Sequence, residues 1–325
     1  MAATDTFLDA SLLGFTKLGV STRGLDVDEP YPEVHGKHVM VTGATGGIGR
    51  ATALRLASNG AIVHGVGRSA DKLAILEADT NGAVVAHQAD LSSMEAINEL
   101  TDGFLASGHG LHGIVNNVGV MTHERVTTAE GFELTYAVNL LGQYVLTTNL
   151  LPALISAVPS SVVMVSSGGM YSQPLTTTNM QSTEDPYDGT AAYARTKRGQ
   201  VELAIAWAEA FADKDVRVNS MHPGWVDTEG VRTALPKFRK LTRPLLRDAA
   251  QGADSIVWLI ASQDAGAVTG QFIHDRMPRP TQRGKRPQTD GALRKELMDM
   301  LATDAAPFIT SGAINSQEDT NADHH

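Results

Sequence analysis

The stretch "VMVTGATGGIGRATALRLASNG", residues 39–60, constrains this chain more than any other. An apolar, β-branched run leads straight into Gly43, Gly47 and Gly49, and the chain leaves that turn as a helix stopped by Gly60. Glycines at a strand-to-helix turn let backbone N–H groups approach a pyrophosphate at the positive end of the helix. Thr45 and Ile48 lie within the same turn and belong to the candidate cofactor contacts. The spacing is G-x-x-x-G-x-G, not the G-x-G-x-x-G of the better-known dinucleotide turn. A glycine-rich turn with no ligand is the competing reading. The strand–turn–helix context favours the cofactor.

The same rhythm continues without interruption. "AIVHGVG", "AVVAHQADL", "LHGIVNNVG", "SVVMVSS", "VRVNSMHPG" and "GQFIHD" are short strand-like runs, and helical segments separate them. Alternation of this kind predicts an α/β fold: a doubly wound parallel sheet, Rossmann-type, of about seven strands with helices on both faces. We expect it as one catalytic domain over residues 37–275. Residues 1–36 read as an amphipathic helix (5–19, with Phe7, Leu8, Leu12, Leu13 and Phe15 on one face) and an acidic, proline-containing connector. Residues 276–325 read as an appendage: a basic, proline-rich stretch, one helix within 291–303, and a flexible polar tail ending in His324 and His325.

Composition narrows the function classes. The 325-residue chain is 42% hydrophobic and only 19% charged, which suits a packed core. A net charge of −10 speaks against nucleic acid and against an anionic membrane surface. With no cysteine, disulfides and thiolate chemistry are excluded. The apolar runs are too short to span a bilayer, and the N-terminus lacks a secretory pattern, so a cytoplasmic protein is expected. The histidines include "HGLH" (109–112), but no third ligand accompanies them, so no metal site is expected.

Two further features carry chemistry. In "AAYARTKRG", Tyr193 and Lys197 stand four apart, one turn above each other on a helix face. They could be a surface pair. Alternatively, they place a phenol beside an ammonium that would lower its pKa. After the second strand come Arg68 and Ser69, where an NAD-specific turn would offer an acid to the ribose. A guanidinium fork and a hydroxyl suit a 2′-phosphate, which favours NADP(H) over NAD(H). Arg68 could equally solvate a strand end.

The ordered set T-G-x-x-x-G-x-G, Asp90, "NNVG", Asn139, a strand ending in serine, Y-x-x-x-K and "HPGWVDT" resembles the short-chain dehydrogenase/reductase family over about three quarters of the chain. "FTKLG" and "HPGWVDTEGVR" with "AQGADSIVWL" are similar, more narrowly, to dehydrogenase/reductase member 12-type proteins. The family resemblance implies a carbonyl reductase, reversible to alcohol oxidation. It implies Tyr193 as proton donor, Lys197 as its tuner and ribose ligand, Ser167 as the carbonyl-polarising hydroxyl, and Asn139 in a water-mediated proton relay. Ser166 is the alternative to Ser167. Asp90 and Leu91 should border the adenine, though Asp90 could also cap the next helix. Asn117 and Gly119 should line the ribose side, and Val226 and Thr228 the nicotinamide end.

Ser167 and Tyr193 are 26 residues apart, more than in compact members, and the intervening loop with Tyr171, Met180 and Tyr187 is expected to shape the substrate mouth. The mixed basic and apolar run after Thr228 suits a flap. The substrate is expected to be a small, apolar carbonyl or alcohol, and a homo-oligomer is compatible with this reading. A non-catalytic NADP-binding sensor or scaffold on the same fold is the alternative function. Epimerase or dehydratase chemistry is disfavoured by the glycine spacing and the small C-terminal region.

Overall fold

Eight strands form one sheet in the order β3-β2-β1-β4-β5-β6-β7-β8. This is a computed structural model, and it describes Leu8 and residues 12–234, 236–283 and 289–310. The strands are β1 (His38–Thr42), β2 (Ile62–Gly67), β3 (Val84–Gln88), β4 (Gly113–Asn116), β5 (Ser160–Val165), β6 (Val216–Met221), β7 (Phe272–His274) and β8 (Met277–Pro278). The first seven pair in parallel; β8 pairs antiparallel with β7. The expected seven-stranded parallel sheet is therefore present, with one addition. Two residues containing a proline give no alternating pattern, so β8 is invisible to periodicity.

Both faces of the sheet are covered. Along β1, Val39 and Val41 point into one core and Met40 into the other; β4 and β5 alternate in the same way. One face packs α2 (Gly47–Ser58) and α11 (Ala249–Ala261), whose Leu56, Ile256 and Val257 are buried. The other packs α4 (Met94–Ala106), α6 (Gly142–Asn149) and α8 (Gly189–Ala210), through Phe104, Leu146 and Trp207. The C-terminal helix α12 (Gly291–Ala305) joins this second core through Leu297 and Leu301. Among the described residues no helix is long and apolar enough to cross a membrane.

Three local expectations change. The described part of the N-terminal helix breaks at Thr16: a 3-10 turn over Leu12–Phe15 is followed by α1 (Lys17–Arg23), because the Thr16 hydroxyl accepts the Leu18 N–H and starts a new helix. Residues 5–7 and 9–11 of that expectation, the stretch 284–288 and the tail with His324 and His325 lie outside the described residues. The helix after β3 is capped by Ser93, whose Oγ accepts the Ala96 N–H; Asp90 instead accepts from Ser92. The long helix before β5 is interrupted by a π-helical turn over Ala137–Leu141, between α5 (Leu134–Tyr136) and α6, and Asn139 lies at its centre.

Candidate active site

The order 3-2-1-4-5 reverses direction between β1 and β4, so the carboxyl ends of these two strands open a crevice, the usual ligand position in such sheets. The glycine turn leaves β1 there and Asn117 leaves β4 beside it. Asn117 Nδ2 donates to Thr42 O at 2.8 Å, and its backbone N–H donates to Thr42 Oγ1 at 2.9 Å. A methyl group on Gly49 would collide with the Gly43 carbonyl and the Asn117 amide, so only glycine lets α2 start this close to β1. Thr228 packs within ordinary contact of Gly47, and Ile48 approaches Gly252 beside Val226. The loop after β6 therefore meets the glycine turn. Thr45 lies against Gly67 at the end of β2.

Arg68 is exposed just beyond that strand, and among the described residues no carboxylate pairs with it. Ser69 caps α3 (Ala70–Asp79) by accepting the Lys72 N–H, which leaves its O–H free to donate. Asp90 is exposed and Leu91 buried, both just past β3. These residues trace one edge of the sheet from β3 to β4. The bare backbone at Gly49 and the unpaired Arg68 fit a dinucleotide there.

At the end of β5 the two serines separate by function. Ser166 is buried and donates to the Lys197 carbonyl at 2.7 Å. Ser167 accepts the Gly169 N–H at 3.1 Å and lies beside the Tyr193 ring, both within 4 Å of a methyl placed on Gly169. Tyr193 and Lys197 share a face of α8, with Lys197 Nζ 5.5 Å from the Tyr193 ring centre. Lys197 is buried and donates to Val165 O at 2.8 Å. A side chain on Gly119 would press on Nζ, so this glycine makes room for the lysine. Asn139 clamps the neighbouring backbone, donating to Val120 O and Thr196 Oγ1 and accepting the Val120 N–H at 2.7 Å. A π turn at such a position is a recurrent feature of functional sites.

Electrostatics here differ from the sequence expectation. Burial raises the Tyr193 phenol above its ordinary value, opposed only by the Ser167 hydrogen bond. Burial also lowers the Lys197 ammonium to about 7. Desolvation is the first cause of both shifts.

The loop between Ser167 and Tyr193 is more firmly anchored than expected. Met180 is buried in the core, whereas Tyr187 is partly exposed and its hydroxyl donates to Glu133 Oε1 at 2.9 Å. Tyr171 does lie at the surface, where its hydroxyl donates to Pro280 O.

Sequence reasoning missed the wall opposite. Gly14, Phe15 and Thr16 lie over the loop after β6: the Phe15 carbonyl accepts the Trp225 N–H at 2.7 Å, and the Phe15 ring sits against Gly168, next to Ser167. Buried Arg247 ties this together, donating to Gly14 O, Thr16 O and Pro223 O and forming a two-pronged pair with Asp275 at 2.6 and 2.8 Å. Arg23 joins the same carboxylate at 2.5 Å. Only the resemblance of "FTKLG" hinted at this region. A groove of about 590 Å³ lined by Tyr31, Arg55, Asp79 and Val257 shares no residue with the site.

Comparison with known proteins agrees with this layout. The family model for short chain dehydrogenase matches residues 37–237. The chain belongs to the short-chain dehydrogenase family. Its members are dehydrogenases and reductases that bind a nicotinamide cofactor. Human dehydrogenase/reductase SDR family member 12 is 41% identical over 252 residues, covering 76% of this chain and 78% of the relative. Human retinol dehydrogenase 12 is 33% identical over 75% of this chain and 79% of its own. A solved structure from Beutenbergia cavernae, a candidate NAD(P)-dependent gluconate 5-dehydrogenase with NADP bound at low occupancy, is 26% identical with a TM-score of 0.61. It covers 74% of this chain and 96% of that one.

Proposed function

We propose that this short-chain dehydrogenase is an NADP(H)-dependent reductase that converts a small apolar carbonyl compound to the alcohol, reversibly. The observation that carries the reading is the Ser167 hydroxyl beside the Tyr193 ring, both within 4 Å of a methyl placed on Gly169, with Lys197 one helical turn from Tyr193, at the edge where the glycine turn opens. The nicotinamide, when bound, supplies or accepts the hydride. Ser167 can turn its O–H toward the carbonyl oxygen and stabilise the charge that develops there. Tyr193 gives that oxygen a proton. A phenol raised by burial is fully protonated at neutral pH, the form reduction requires. Lys197 Nζ, held by Val165 O, is placed to stabilise the resulting phenolate and to bond the cofactor's ribose. Asn139 fixes the loop after Gly119, and with it the segment beside Lys197.

Arg68 supports NADP(H), because an exposed guanidinium without an acidic partner suits a 2′-phosphate. A relative named for retinol supports an apolar substrate. The test is Tyr193→Phe, which keeps the ring and the helix. Turnover of NADPH with a carbonyl panel is expected to fall by a factor on the order of 10² or more, with cofactor affinity retained. A near-normal rate removes Tyr193 from the mechanism. Absence of turnover in the unmutated protein over a broad panel favours the non-catalytic alternative.

A further inference from the structure

Arg283 is the one described arginine held between two aromatic rings: its guanidinium carbon lies 4.8 Å from the Phe15 ring centre and 4.5 Å from that of Tyr171. Stacking fixes the plane of the fork and leaves its edge N–H groups free to donate. No carboxylate within the described residues pairs with it. Phe15 touches Gly168 and Tyr171 belongs to the turn Gly168–Ser172, so both rings border the segment that begins at Ser167. The chain of contacts keeps the guanidinium within about 15 Å of the Ser167 Cα.

The surroundings share its sign: Arg247 and Arg279 act together with Arg283 in lowering the pKa of His222, after burial and His274. A second donor borders the same ring. His222 Nδ1 accepts the Gly224 N–H at 3.2 Å, so the neutral imidazole carries its proton on Nε2, which is buried without an acceptor. The His222 ring meets Phe15 edge-on, 4.5 Å between centres.

We infer that Arg283 is a specificity-determining residue that binds an oxyanion, carboxylate or phosphate, at the far end of an otherwise apolar carbonyl substrate. The inference rests on the reductase reading above. A stacked, planar fork without a carboxylate partner is the donor such a group requires, and the surrounding positive field raises the local concentration of anions. The substrate is thus amphiphilic, its carbonyl at Ser167 and Tyr193 and its charge at Arg283.

The experiment compares decanal with the matching aldehydes that carry a terminal carboxylate or a terminal phosphate. In the unmutated protein the KM of at least one charged probe should be lower than that of decanal by about tenfold or more, the scale of a charge-assisted hydrogen bond. Arg283→Gln should bring the charged and neutral KM values together, and Arg283→Lys should restore part of the difference. Which charged probe is preferred separates carboxylate from phosphate. A purely structural arginine would shift all probes alike and leave their ratio intact, which overturns the inference, as does equal KM in the unmutated protein. Binding is read separately by tryptophan fluorescence in a Tyr193→Phe background with NADPH. Weaker binding of the charged probe alone in Arg283→Gln supports the inference even where turnover is absent; unchanged binding rejects it. Failure of the reductase reading and failure of this one are therefore distinguishable.

Discussion

Around Gly49 the contacts come from short motifs: Gly43 and Thr42 immediately before it, Asn117 from the next strand in the sheet. Around Arg247 they come from the whole length of the chain, with Gly14 and Thr16 on one side and Asp275 on the other. The first region is shaped by steric fit, where a single methyl group has no room. The second is shaped by charge, where one guanidinium bonds three carbonyls and shares a buried carboxylate with Arg23. A cradle made of neighbouring motifs needs only local fit. A wall made of distant segments needs something that locks them together.

Breaking that lock should give the largest effect. Arg247→Ala leaves Asp275, 3% exposed, with Arg23 as its remaining arginine and removes the side-chain donor of the Pro223 carbonyl. Removing one partner of a buried pair costs about 3–5 kcal/mol. Urea denaturation should show a loss of that size, and proteolysis should release the N-terminal segment first. A loss below about 1 kcal/mol would mean that the segment is held by Phe15 and the backbone pairing alone.

The cofactor edge should respond in the opposite manner. Arg68 is exposed and unpaired, so Arg68→Ala should leave folding stability nearly unchanged. NADPH affinity should fall by about 1.5–3 kcal/mol, the range for a hydrogen bond to a charged group, with NADH affinity unaltered. Fluorescence titration of both cofactors decides it. Equal affinities in the unmutated protein would dissociate Arg68 from cofactor choice.

These two regions also differ in what the sequence reveals. The glycine turn, Ser167, and the Tyr193–Lys197 pair are legible because their geometry is set within a few residues of a strand end or on one helix face. Arg247 is one of six basic residues in its stretch, and Asp275 reads only as the end of a strand. Their meeting depends on β6 and β7 lying side by side and on a turn at Thr16 that apolar spacing does not show. Asn139 reads as an ordinary mid-helix asparagine, since the extra residue of a π turn leaves no mark on composition. Met180 looks like a mouth residue in a loop; the fold instead buries it in the core.

Acid gives the smallest effect per step, about 1.4 kcal/mol for each pH unit, and reaches the cofactor half from within. His64, on β2, is 5% exposed, and both its ring nitrogens face other imidazoles: Nε2 lies 2.9 Å from His38 Nδ1, and Nδ1 lies 2.9 Å from His87 Nε2. Burial first, then the neighbouring histidines His87, His38 and His109, lower its pKa to about 3. The ring is neutral in the folded protein at any pH above that value, and one nitrogen can donate while the other accepts. In the unfolded chain the same histidine takes up a proton near pH 6.5. Below pH 6.5 the unfolded state therefore binds the extra proton, and stability falls as pH falls, down to about pH 3. The contribution is about 1.4 kcal/mol per pH unit. His64→Gln should weaken the protein at neutral pH by removing two hydrogen bonds, yet flatten its decline between pH 6 and pH 4 by about that slope. Urea midpoints across this range test the point. If the variant loses stability with acid as steeply as the unmutated protein, the acid sensitivity lies with the other histidines whose pKa values burial lowers: His38, His87 and His112 on this side, or His222 and His274 beside Phe15.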